Sequence, residues 1–448
     1  MCGISGIWNL NGKKIQREEI EKFNNSLAHR GPDDQGVYLD NNTSLALGHR
    51  RLSILDLSVA GQQPMFNNSR SLVLTFNGEI YNYIELKAEL VAKGYAFRSH
   101  TDSEVILAAY QEWGTACLQK FNGMWAFAIW DISKQLLFIS RDRFGVKPLY
   151  YVYQPGHLFA FASESVSFNY LEGFSKKVSN KNINLGIRNT FYLESIGETI
   201  YEDIVKLKPG HFLLLNKAGK LTTTQWWKTE DHLQKAPVNY AEQVDEFRSI
   251  FLDACRLRLR SDVPIGIALS GGLDSSSIYS SIQQIYKQDH ADENITNDGQ
   301  TAFIATFPDT KMDEKEYADE VVSFYNGKAK YIFPDEKNIA DAIFTETKAE
   351  DFIYLSPPVV HGIYREMRNN DVKVSLDGHG ADEMLFGYAN MVGEWMHNEK
   401  EESNLNNLSN TWAEMQGLTK EEAVKALNSE NGNGRSLLEK AYDTIVPQ

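Results

Sequence analysis

The chain has 448 residues, 42% of them hydrophobic, and a formal net charge of -15, which leaves room for two or three domains with substantial cores. So large an excess of acidic residues disfavours a nucleic-acid partner or an anionic membrane surface. No apolar segment is long enough to span a bilayer, and the N-terminus lacks the basic region and apolar core of a signal peptide. Cys2, Cys117 and Cys255 have no short spacing, so we expect no disulfide framework, no zinc site and a reducing, cytoplasmic location.

The N-terminal sequence Met1-Cys2-Gly3-Ile4 carries a cysteine small enough for the initiator methionine to be removed. Removal would leave Cys2 with a free α-amine beside its thiol. The reference pKa values of these groups are about 7.7–8.0 and about 8.5, so they can exchange a proton near neutral pH. A terminal cysteine can therefore be nucleophile and base in one residue. Taken alone, a cysteine at position 2 more often has no such role.

Five short motifs follow in the first third of the chain. They are His29-Arg-Gly-Pro-Asp33, Arg51-Leu-Ser-Ile-Leu-Asp56, Asn77-Gly-Glu-Ile-Tyr-Asn82, Thr101-Asp-Ser-Glu-Val105 and Arg141-Asp-Arg-Phe-Gly-Val-Lys-Pro148. Each motif alone is a weak signal, because isolated charges are most often solvated. With Cys2-Gly3-Ile4, the ordered series resembles the glutaminase domain of class II, N-terminal-nucleophile amidotransferases, over residues 1–165.

This resemblance implies a role for each residue of a glutamine pocket. Cys2 attacks the side-chain amide, and Asn77 with the Gly78 N–H forms an oxyanion hole, in which one donor contributes about 2.7–4 kcal/mol in other enzymes. Arg51 binds the α-carboxylate, a geometry that its planar guanidinium favours, and Asp102 binds the ammonium group. The pocket is completed by Leu52, Ile54 and Glu79.

Other interpretations of the same residues are structural. Asn77-Gly78 is a favoured hairpin turn, which is compatible with the functional role. We expect His29 and Asp33 to shape a loop rather than transfer protons. We likewise expect residues 141–148 to organise structure near the site rather than to react.

Hydrophobic patterns in this part of the chain indicate both strands and helices. Strands are predicted at Ser71–Phe76, Gly123–Trp130, Leu136–Ile139 and Leu158–Ala162, and helices at Ile84–Lys93 and Ser103–Trp113. The mixture fits the four-layer αββα fold of the family, in which stacked antiparallel sheets are covered by helices. We expect the glutaminase domain at residues 1–210, a boundary segment at 211–240 and a second domain at 241–448.

The second domain contains the segment Ala268-Leu-Ser-Gly-Gly-Leu-Asp-Ser-Ser-Ser277, which lies between the apolar strand Val263–Leu269 and a helix start at Ile278. Its glycines let backbone N–H groups approach phosphate oxygens, and the helix N-terminus adds a partial positive charge. Without Gly-Lys-Ser/Thr it is not a Walker loop. Ser-Gly-Gly-Leu-Asp-Ser instead resembles the pyrophosphate loop of ATP pyrophosphatases, which cleave ATP between the α and β phosphates.

Strands and helices alternate around this loop. Strands are predicted at Ala302–Phe307, Lys330–Phe333 and Val372–Leu376, and helices at Gln243–Arg260, Glu314–Tyr325 and Val359–Arg368. This order predicts an α/β doubly wound parallel sheet with ligands at the carboxyl ends of its strands. Two candidate ligand sites fall there, the Ser270 loop and Asp377-Gly-His-Gly-Ala-Asp-Glu383.

Both loops behind a glutaminase domain resemble glutamine-hydrolysing asparagine synthetase. By that resemblance the ATP phosphates are bound by Ser270, Gly271, Gly272, Asp274 and Ser275, and the rest of the ATP site includes Leu269, Ala305, Asp377 and Gly378. Asp274 and Asp382 bind Mg²⁺ carried by the pyrophosphate, because two carboxylates near a triphosphate would repel it without a cation between them. The alternative for Asp382 is an acid stabilised by a helix N-terminus.

Two features depart from the family pattern. His379 stands where the second loop of the family often has a glutamate. The Arg-x-Pro-Phe-Leu-Asp-like motif of the family and the lysine that follows it are also not found, and residues 391–448 instead indicate polar helix. We therefore expect a fragment of a longer chain first, and otherwise an insertion before the missing part, an altered synthetase or a deliberate short form.

The resemblance implies a carbon–nitrogen ligase that releases ammonia from glutamine, activates aspartate with ATP as β-aspartyl-AMP and forms asparagine. Its partners would be glutamine, aspartate and ATP with Mg²⁺, without nucleic acid or membrane, and a homodimer is left open. One alternative is a relative that acts on another carboxylate, such as a natural-product or surface-sugar amidotransferase. Another is a glutaminase or sensor with a degenerate second half. Sugar-phosphate amidotransferases are disfavoured because they have no need for a pyrophosphate loop.

Overall fold

The computed structural model describes residues 1–40, 44–189, 192–287, 294–295, 300–333, 343, 358–398 and 402–419. The chain divides into two compact units, and each is described by itself. One unit comprises Met1–Gly271 and Tyr279–Leu376, and the other comprises Gly272–Ile278 and Asp377–Gln448. Within the described ranges, none of the helices combines the length and the apolar character that crossing a membrane requires.

The first half of the chain is rich in strands. These are β1 (Gly3–Asn9), β2 (Asp34–Asp40), β3 (Leu45–Arg51), β4 (Met65–Phe66), β5 (Leu72–Ile80), β6 (Gly123–Asp131), β7 (Leu136–Arg141), β8 (Tyr150–Gln154), β9 (Leu158–Ala162), β10 (Val205–Lys206), β11 (His211–Asn216) and β12 (Leu221–Gln225). The helices are α1 (Arg17–Asn25), α2 (Tyr83–Ala92), α3 (Asp102–Trp113), α4 (Asn180–Arg188) and α5 (Tyr192–Ile196).

These strands form two antiparallel six-stranded sheets, in the orders β10-β8-β9-β1-β3-β2 and β12-β11-β7-β6-β5-β4. Successive side chains of a strand point to opposite faces, so each sheet contributes to two cores. Ile4 and Trp8 of β1 pack with Val73 and Trp130 of the second sheet, and the two tryptophan rings meet edge to face at 5.0 Å. A core of apolar side chains therefore lies between the two sheets.

Helices cover the outer face of each sheet. Ile7 of β1 points away from the first core and packs with Ile20 and Phe23 of α1. On the other side, Phe127 of β6 packs with Leu86 of α2 and with residues of α3. The order helix, sheet, sheet, helix confirms the predicted four-layer fold of this half.

The structure lengthens some of the predicted elements. The strand predicted at 71–76 extends to Ile80, so Asn77 and Gly78 pair with Ala126 and Trp125 of β6. The interpretation of Asn77-Gly78 as a hairpin turn is therefore wrong, because the pairing with β6 continues through both residues. Residues 211–225, which we had assigned to the boundary segment, form β11 and β12 of the second sheet.

The second half alternates helix and strand. It contains α6 (Tyr240–Arg258), β13 (Ile265–Ala268), α7 (Leu273–Ile285), β14 (Thr301–Ala305), α8 (Lys315–Phe324), β15 (Lys328–Ile332), α9 (Pro358–Asn369) and β16 (Val374–Ser375). The described part of the second unit continues with α10 (Ala381–Leu385), α11 (Ala389–Asn398) and α12 (Glu402–Met415). Residues 420–448, which belong to the segment expected to be polar helix, lie outside the described residues.

Strands β13 to β16 form a parallel sheet in the order β15-β14-β13-β16. The chain moves outward from β13 to β14 and β15, then returns to the other side of β13. This reversal is the switch point at which open α/β sheets bind ligands. The sheet confirms the predicted α/β class, and the segments that leave β13 and β16 carry the two predicted loops.

Candidate active site

Cys2 lies immediately before β1, in a cleft formed by the end of β3, the end of β5 and the start of α3. The cleft brings together most of the residues predicted for the glutamine pocket, Cys2, Arg51, Leu52, Ile54, Gly78, Glu79 and Asp102. The Cys2 Sγ is 3.4 Å from the Leu52 N, which donates to it, and 3.6 Å from the Leu52 O. Three further segments of sequence, around residues 51–54, 78–79 and 102, therefore line one cleft with this thiol.

The thiol and an amine beside it have shifted pKa values. Burial raises the pKa of the Cys2 thiol above its ordinary value, although the Leu52 N–H opposes that shift. The thiol is therefore protonated at neutral pH and requires a base before it can attack. Burial also lowers the pKa of the Met1 α-amine to about 6. An amine in these surroundings is neutral at pH 7 and can accept a proton.

Two carboxylates, Glu79 and Asp102, are buried in the same cleft. Asp102 is the first residue of α3, and its Oδ2 accepts from the Ile80 N–H at 2.8 Å. Burial raises the pKa of Asp102 to about 6. Burial first, and then the charge of Asp102, raise the pKa of Glu79 well above its ordinary range. Two acids held so close favour a cationic ligand, because a positive charge between them would stabilise both ionised forms.

Asn77 provides an unused hydrogen-bond donor on the strand that carries Glu79. Residues 77 and 79 share one face of β5, since side chains alternate along a strand. Asn77 is 1% exposed, and among the described residues its Nδ2 has no hydrogen-bond partner. An unmet donor of this kind is costly in a folded protein unless a ligand accepts from it. Gly78 leaves no room for a larger residue, because a Cβ there would lie 2.1 Å from the Met124 O.

Arg51 is buried in the wall of the cleft and binds its own chain. Its Nη1 donates to the Ser58 O at 3.0 Å, and its Nη2 donates to the Leu55 O at 3.2 Å and also to the Asp56 O. The guanidinium therefore holds residues 55–58 around itself. Its role as the ligand of a substrate carboxylate stays a prediction, and in that role it would have to share or exchange these carbonyl partners.

The residue roles inferred from the sequence omit two cations of the cleft region. Lys147 is 6% exposed, and burial lowers its pKa. Its charge is one of those that lower the pKa of the Cys2 thiol. Arg30 donates from Nε to the Cys2 O at 3.0 Å. Both lie inside motifs singled out by the sequence, but only the tertiary structure shows that they face Cys2.

Asp142 organises the loop that presents Lys147. Its Oδ1 accepts from the N–H groups of Phe144 and Val146 at 3.0 Å, and its Oδ2 accepts from the N–H of Lys147 at 3.0 Å. The adjacent Arg141 donates to two carbonyls of the loop, the Lys147 O at 2.9 Å and the Gly145 O at 2.6 Å. The motif at 141–148 thus has a structural part that supports a charged residue of the cleft.

The nucleotide residues predicted in the first unit follow strands of the parallel sheet. Leu269 is buried and its N–H donates to the Phe303 O at 3.0 Å, while Ala305 ends β14. Gly271 has a φ of +85°, and a Cβ there would lie 2.5 Å from the Ala318 N at the start of α8. Only glycine fits both constraints, so the conformation after Ser270 depends on it.

In the second unit, the two predicted nucleotide segments lie together. A Cβ on Gly378 would be 2.9 Å from the Ser275 N and 3.1 Å from the Asp274 Cβ, so the segment Asp377-Gly378 packs closely on the start of α7. The Ser275 Oγ donates to the Gly272 O at 3.3 Å. Backbone N–H groups at this helix start are suited to oxygen ligands.

Acidic side chains meet in the same unit. The charges of Glu383, Asp382 and Asp274 raise the pKa of Tyr388, and Tyr388 also forms a hydrogen bond with Asp382. Asp274 and Asp382 therefore both lie near Tyr388, and their role in binding Mg²⁺ stays a prediction. In the part of the chain that the structure describes, no three His, Cys, Asp or Glu side chains converge as metal ligands. A cation here would depend on oxygen atoms from a bound phosphate as well as on these carboxylates.

Comparison with known proteins finds two families that match successive parts of the chain. Residues 1–227 match the glutamine amidotransferase domain family, and residues 246–447 match the asparagine synthase family. A protein of Methanocaldococcus jannaschii, provisionally named asparagine synthetase (glutamine-hydrolyzing) 2, is 35% identical over 87% of this chain and 76% of its own length.

Two further relatives are longer than this chain. Asparagine synthetase (glutamine-hydrolyzing) 1 of Bacillus subtilis is 32% identical over 87% of this chain and 59% of its own length. Amidase chry2 of Gibberella zeae is 29% identical over 87% of this chain and 59% of its own length. The matched part of this chain therefore spans somewhat over half the length of these two relatives.

The buried carboxylates give a prediction about stability. Replacing Asp102 by Asn should raise the free energy of unfolding at pH 8 by roughly 1–3 kcal/mol, because ionising a carboxyl whose pKa is raised opposes folding. The gain should disappear below about pH 4, where the carboxyl is protonated in both the folded and the unfolded chain. Urea unfolding at both pH values measures the difference.

Asp131 provides a control of opposite sign. Although burial opposes the shift, hydrogen bonds from Ser133 and Lys134 lower the pKa of Asp131. Its ionised form therefore stabilises the fold, and Asp131→Asn should lose stability at pH 8 relative to pH 4. Equal losses for both variants at pH 8 would contradict the assignment of Asp102 as a carboxylate kept at a cost.

Proposed function

Because the chain belongs to the family that joins a glutamine amidotransferase domain to an asparagine synthase domain, we propose that it is a glutamine-dependent asparagine synthetase. It takes glutamine, aspartate and ATP with Mg²⁺ as its small-molecule partners and acts as a carbon–nitrogen ligase. The observation that carries the proposal is the cleft that brings Cys2 together with Gly78, Glu79 and Asp102. Asn77, whose buried Nδ2 has no hydrogen-bond partner among the described residues, precedes Gly78 on β5.

The first half hydrolyses glutamine. Removal of Met1 leaves the α-amine on Cys2, where it lies beside the thiol and takes its proton. The thiolate adds to the amide carbon, and the oxyanion that forms accepts from the Asn77 Nδ2 and the Gly78 N–H. Ammonia leaves with the proton, and water then hydrolyses the thioester to glutamate. The positive charge of Lys147 favours the thiolate in the first step.

Glutamine is oriented by charge. Its α-ammonium group binds between Glu79 and Asp102, whose pKa values fall back towards the ordinary range once a cation is present. Its α-carboxylate approaches Arg51, which exchanges one of the carbonyls of residues 55–58 for the ligand. Substrate binding therefore moves the loop that Arg51 holds.

The second half activates the acceptor. The backbone from Ser270 to Ser275 binds the phosphates of ATP, with Leu269, Ala305, Asp377 and Gly378 around the rest of the nucleotide. Asp274 and Asp382 hold Mg²⁺, which when bound supplies positive charge to the phosphates. The β-carboxylate of aspartate displaces pyrophosphate from the α-phosphate, and ammonia from the cleft then replaces AMP to give asparagine.

A second candidate function is amidation of a different carboxylate. Two observations favour it: His379 is exposed at the place where the family often has a glutamate, and one relative carries the name amidase. The chemistry of both halves would be unchanged and only the acceptor would differ. Pyrophosphate release measured with a panel of carboxylic acids separates the two functions, because only the true acceptor stimulates it.

Cys2 and Asn77 are the residues with which to test the glutaminase step. Cys2→Ala should abolish glutamate release, and Asn77→Ala should lower kcat by about 10²- to 10³-fold with little change in KM, because the oxyanion forms only in the transition state. Glutamate release from glutamine is the assay. Asn184→Ala, an exposed asparagine on α4, is the control and should behave as wild type. Undiminished turnover in Cys2→Ala would exclude the proposed nucleophile.

The decrease of kcat/KM for glutamate release at acid pH tests whether Asp102 binds the ammonium group of glutamine. In wild type, kcat/KM should fall below about pH 6, because Asp102 gains a proton and loses the charge that binds the ammonium group. In Asp102→Asn, kcat/KM should be lower above pH 6 and its acid limb shallower, since Asp102 no longer titrates while Glu79 still does. A variant with the wild-type limb would show that Asp102 does not bind the ammonium group.

The proposed ATP site can be tested independently of the glutaminase step. Asp274→Asn and Asp382→Asn should each lose most aspartate-dependent pyrophosphate release while glutamate release continues, because Mg²⁺ needs both carboxylates beside the phosphates. Both products are measured in one reaction, with Asp203→Asn, an exposed aspartate, as control. Pyrophosphate release that persists in both variants would show that these carboxylates hold no catalytic cation.

A further inference from the structure

Leu52, Ile54 and Leu55 line the glutamine cleft, and we call the segment of residues 52–58 to which they belong the cleft loop. At one end its Leu52 N–H donates to the Cys2 thiol at 3.4 Å. Further along, the carbonyls of residues 55, 56 and 58 accept from the Arg51 guanidinium. The conformation of the cleft loop therefore sets the positions of both the nucleophile and the guanidinium.

Asp262, which lies between α6 and β13, binds the other side of the cleft loop. Its N–H donates to the Ile54 O at 3.0 Å, and its Oδ2 accepts from the Asp56 N at 2.6 Å. These two bonds flank Leu55, whose carbonyl accepts from Arg51. The Asp262 Oδ1 accepts from the Asn294 Nδ2 at 3.0 Å, so both carboxylate oxygens are held.

A second contact joins the start of the cleft loop to the neighbouring strand. The Ser53 N–H donates to the Asp33 Oδ2 at 2.8 Å, and the same oxygen accepts from the Lys373 Nζ at 2.7 Å. Lys373 directly precedes β16. The two contacts therefore meet the sheet at adjacent strands, because Ile265 of β13 pairs with Val374 of β16.

Strand β13 connects these contacts to the predicted nucleotide loop. It begins at Ile265, three residues after Asp262, and ends at Ala268, two residues before Ser270. It is hydrogen-bonded on one side to β14 and on the other to β16, so it moves with the sheet rather than bending alone. A displacement imposed at Asp262 is thereby transmitted along a short, laterally supported strand.

We propose that Asp262 is a positioning residue that couples the glutamine cleft to the nucleotide loop. Binding of the substrate carboxylate draws the Arg51 guanidinium from carbonyls of the cleft loop, Asp262 follows the displaced loop, and β13 carries the change to Ser270. Glutamine and nucleotide then favour the same arrangement and strengthen each other's binding. This inference rests on the proposed function, because it takes glutamine and Mg·ATP as the two ligands.

The test is equilibrium binding in protein carrying Cys2→Ala, which cannot hydrolyse glutamine. The Kd of glutamine is measured with and without saturating Mg·ATP, and the Kd of Mg·ATP with and without glutamine. Each ligand should tighten the other by the same factor, at least about fivefold, because coupling between two sites is reciprocal. Adding Asp262→Ala should reduce the factor to about one, and adding Asp262→Asn, which keeps one acceptor oxygen, should retain part of it.

Asp253→Ala is the matched control, because this exposed aspartate on α6 pairs with Arg256 of its own helix. It should leave the coupling factor unchanged. The inference would be overturned by a coupling factor of about one in the protein that keeps Asp262. It would also be overturned if Asp262→Ala left the coupling factor unchanged. Glutamine that fails to bind the Cys2→Ala protein at all, in the absence of nucleotide, would instead overturn the proposed function.

Discussion

The face-to-face packing of two antiparallel sheets determines where the polar groups of the cleft can lie. Strand β5 contributes Val73 to the core between the sheets and Phe76 to the core beneath the helices, and the same strand ends in the polar sequence Asn77-Gly78-Glu79. Apolar side chains on both faces exclude water along the strand. The charged groups at its end are therefore buried by the fold, and the chemistry of the cleft depends on that burial.

Burial opposes the thiolate form of Cys2, which is why the thiol needs a base, but it shifts other groups of the cleft in a useful direction. It lowers the pKa of the Met1 α-amine to about 6, so an amine in these surroundings is neutral at pH 7. It raises the pKa values of Glu79 and Asp102, so that a cationic ligand gains more by binding there than it would at the surface. It also strengthens the effect of Lys147 on the Cys2 thiol, because charges interact more strongly where water is excluded. The cost in stability is met by the two large apolar cores on either side of the second sheet.

The parallel sheet shares a unit with the cleft, and the contacts between them are polar. Arg260 forms a bidentate ion pair with Glu85, and Asp262 and Lys373 reach the cleft loop and Asp33. All three residues stand just before β13 or β16, at the ends of the strands opposite to the predicted nucleotide loops. Polar contacts of this kind exchange partners at little cost compared with a packed apolar core, which suits a junction that responds to ligands.

Local sequence determined the features that depend on neighbours along the chain. Hydrophobic periodicity predicted most of the central strands and helices, and the succession of β13, the Ser270 loop and α7 was evident because all three parts are contiguous. The ordered motifs also identified Cys2, Arg51 and Asp102 as one family pattern. Tertiary structure decided that Asn77-Gly78 continues a strand, that Lys147 and Arg30 face Cys2, and that Asp262 binds the cleft loop. Those facts could not be obtained from the sequence, because pairing, burial and the resulting pKa shifts depend on groups that are distant in the chain and meet only when the sheets pack.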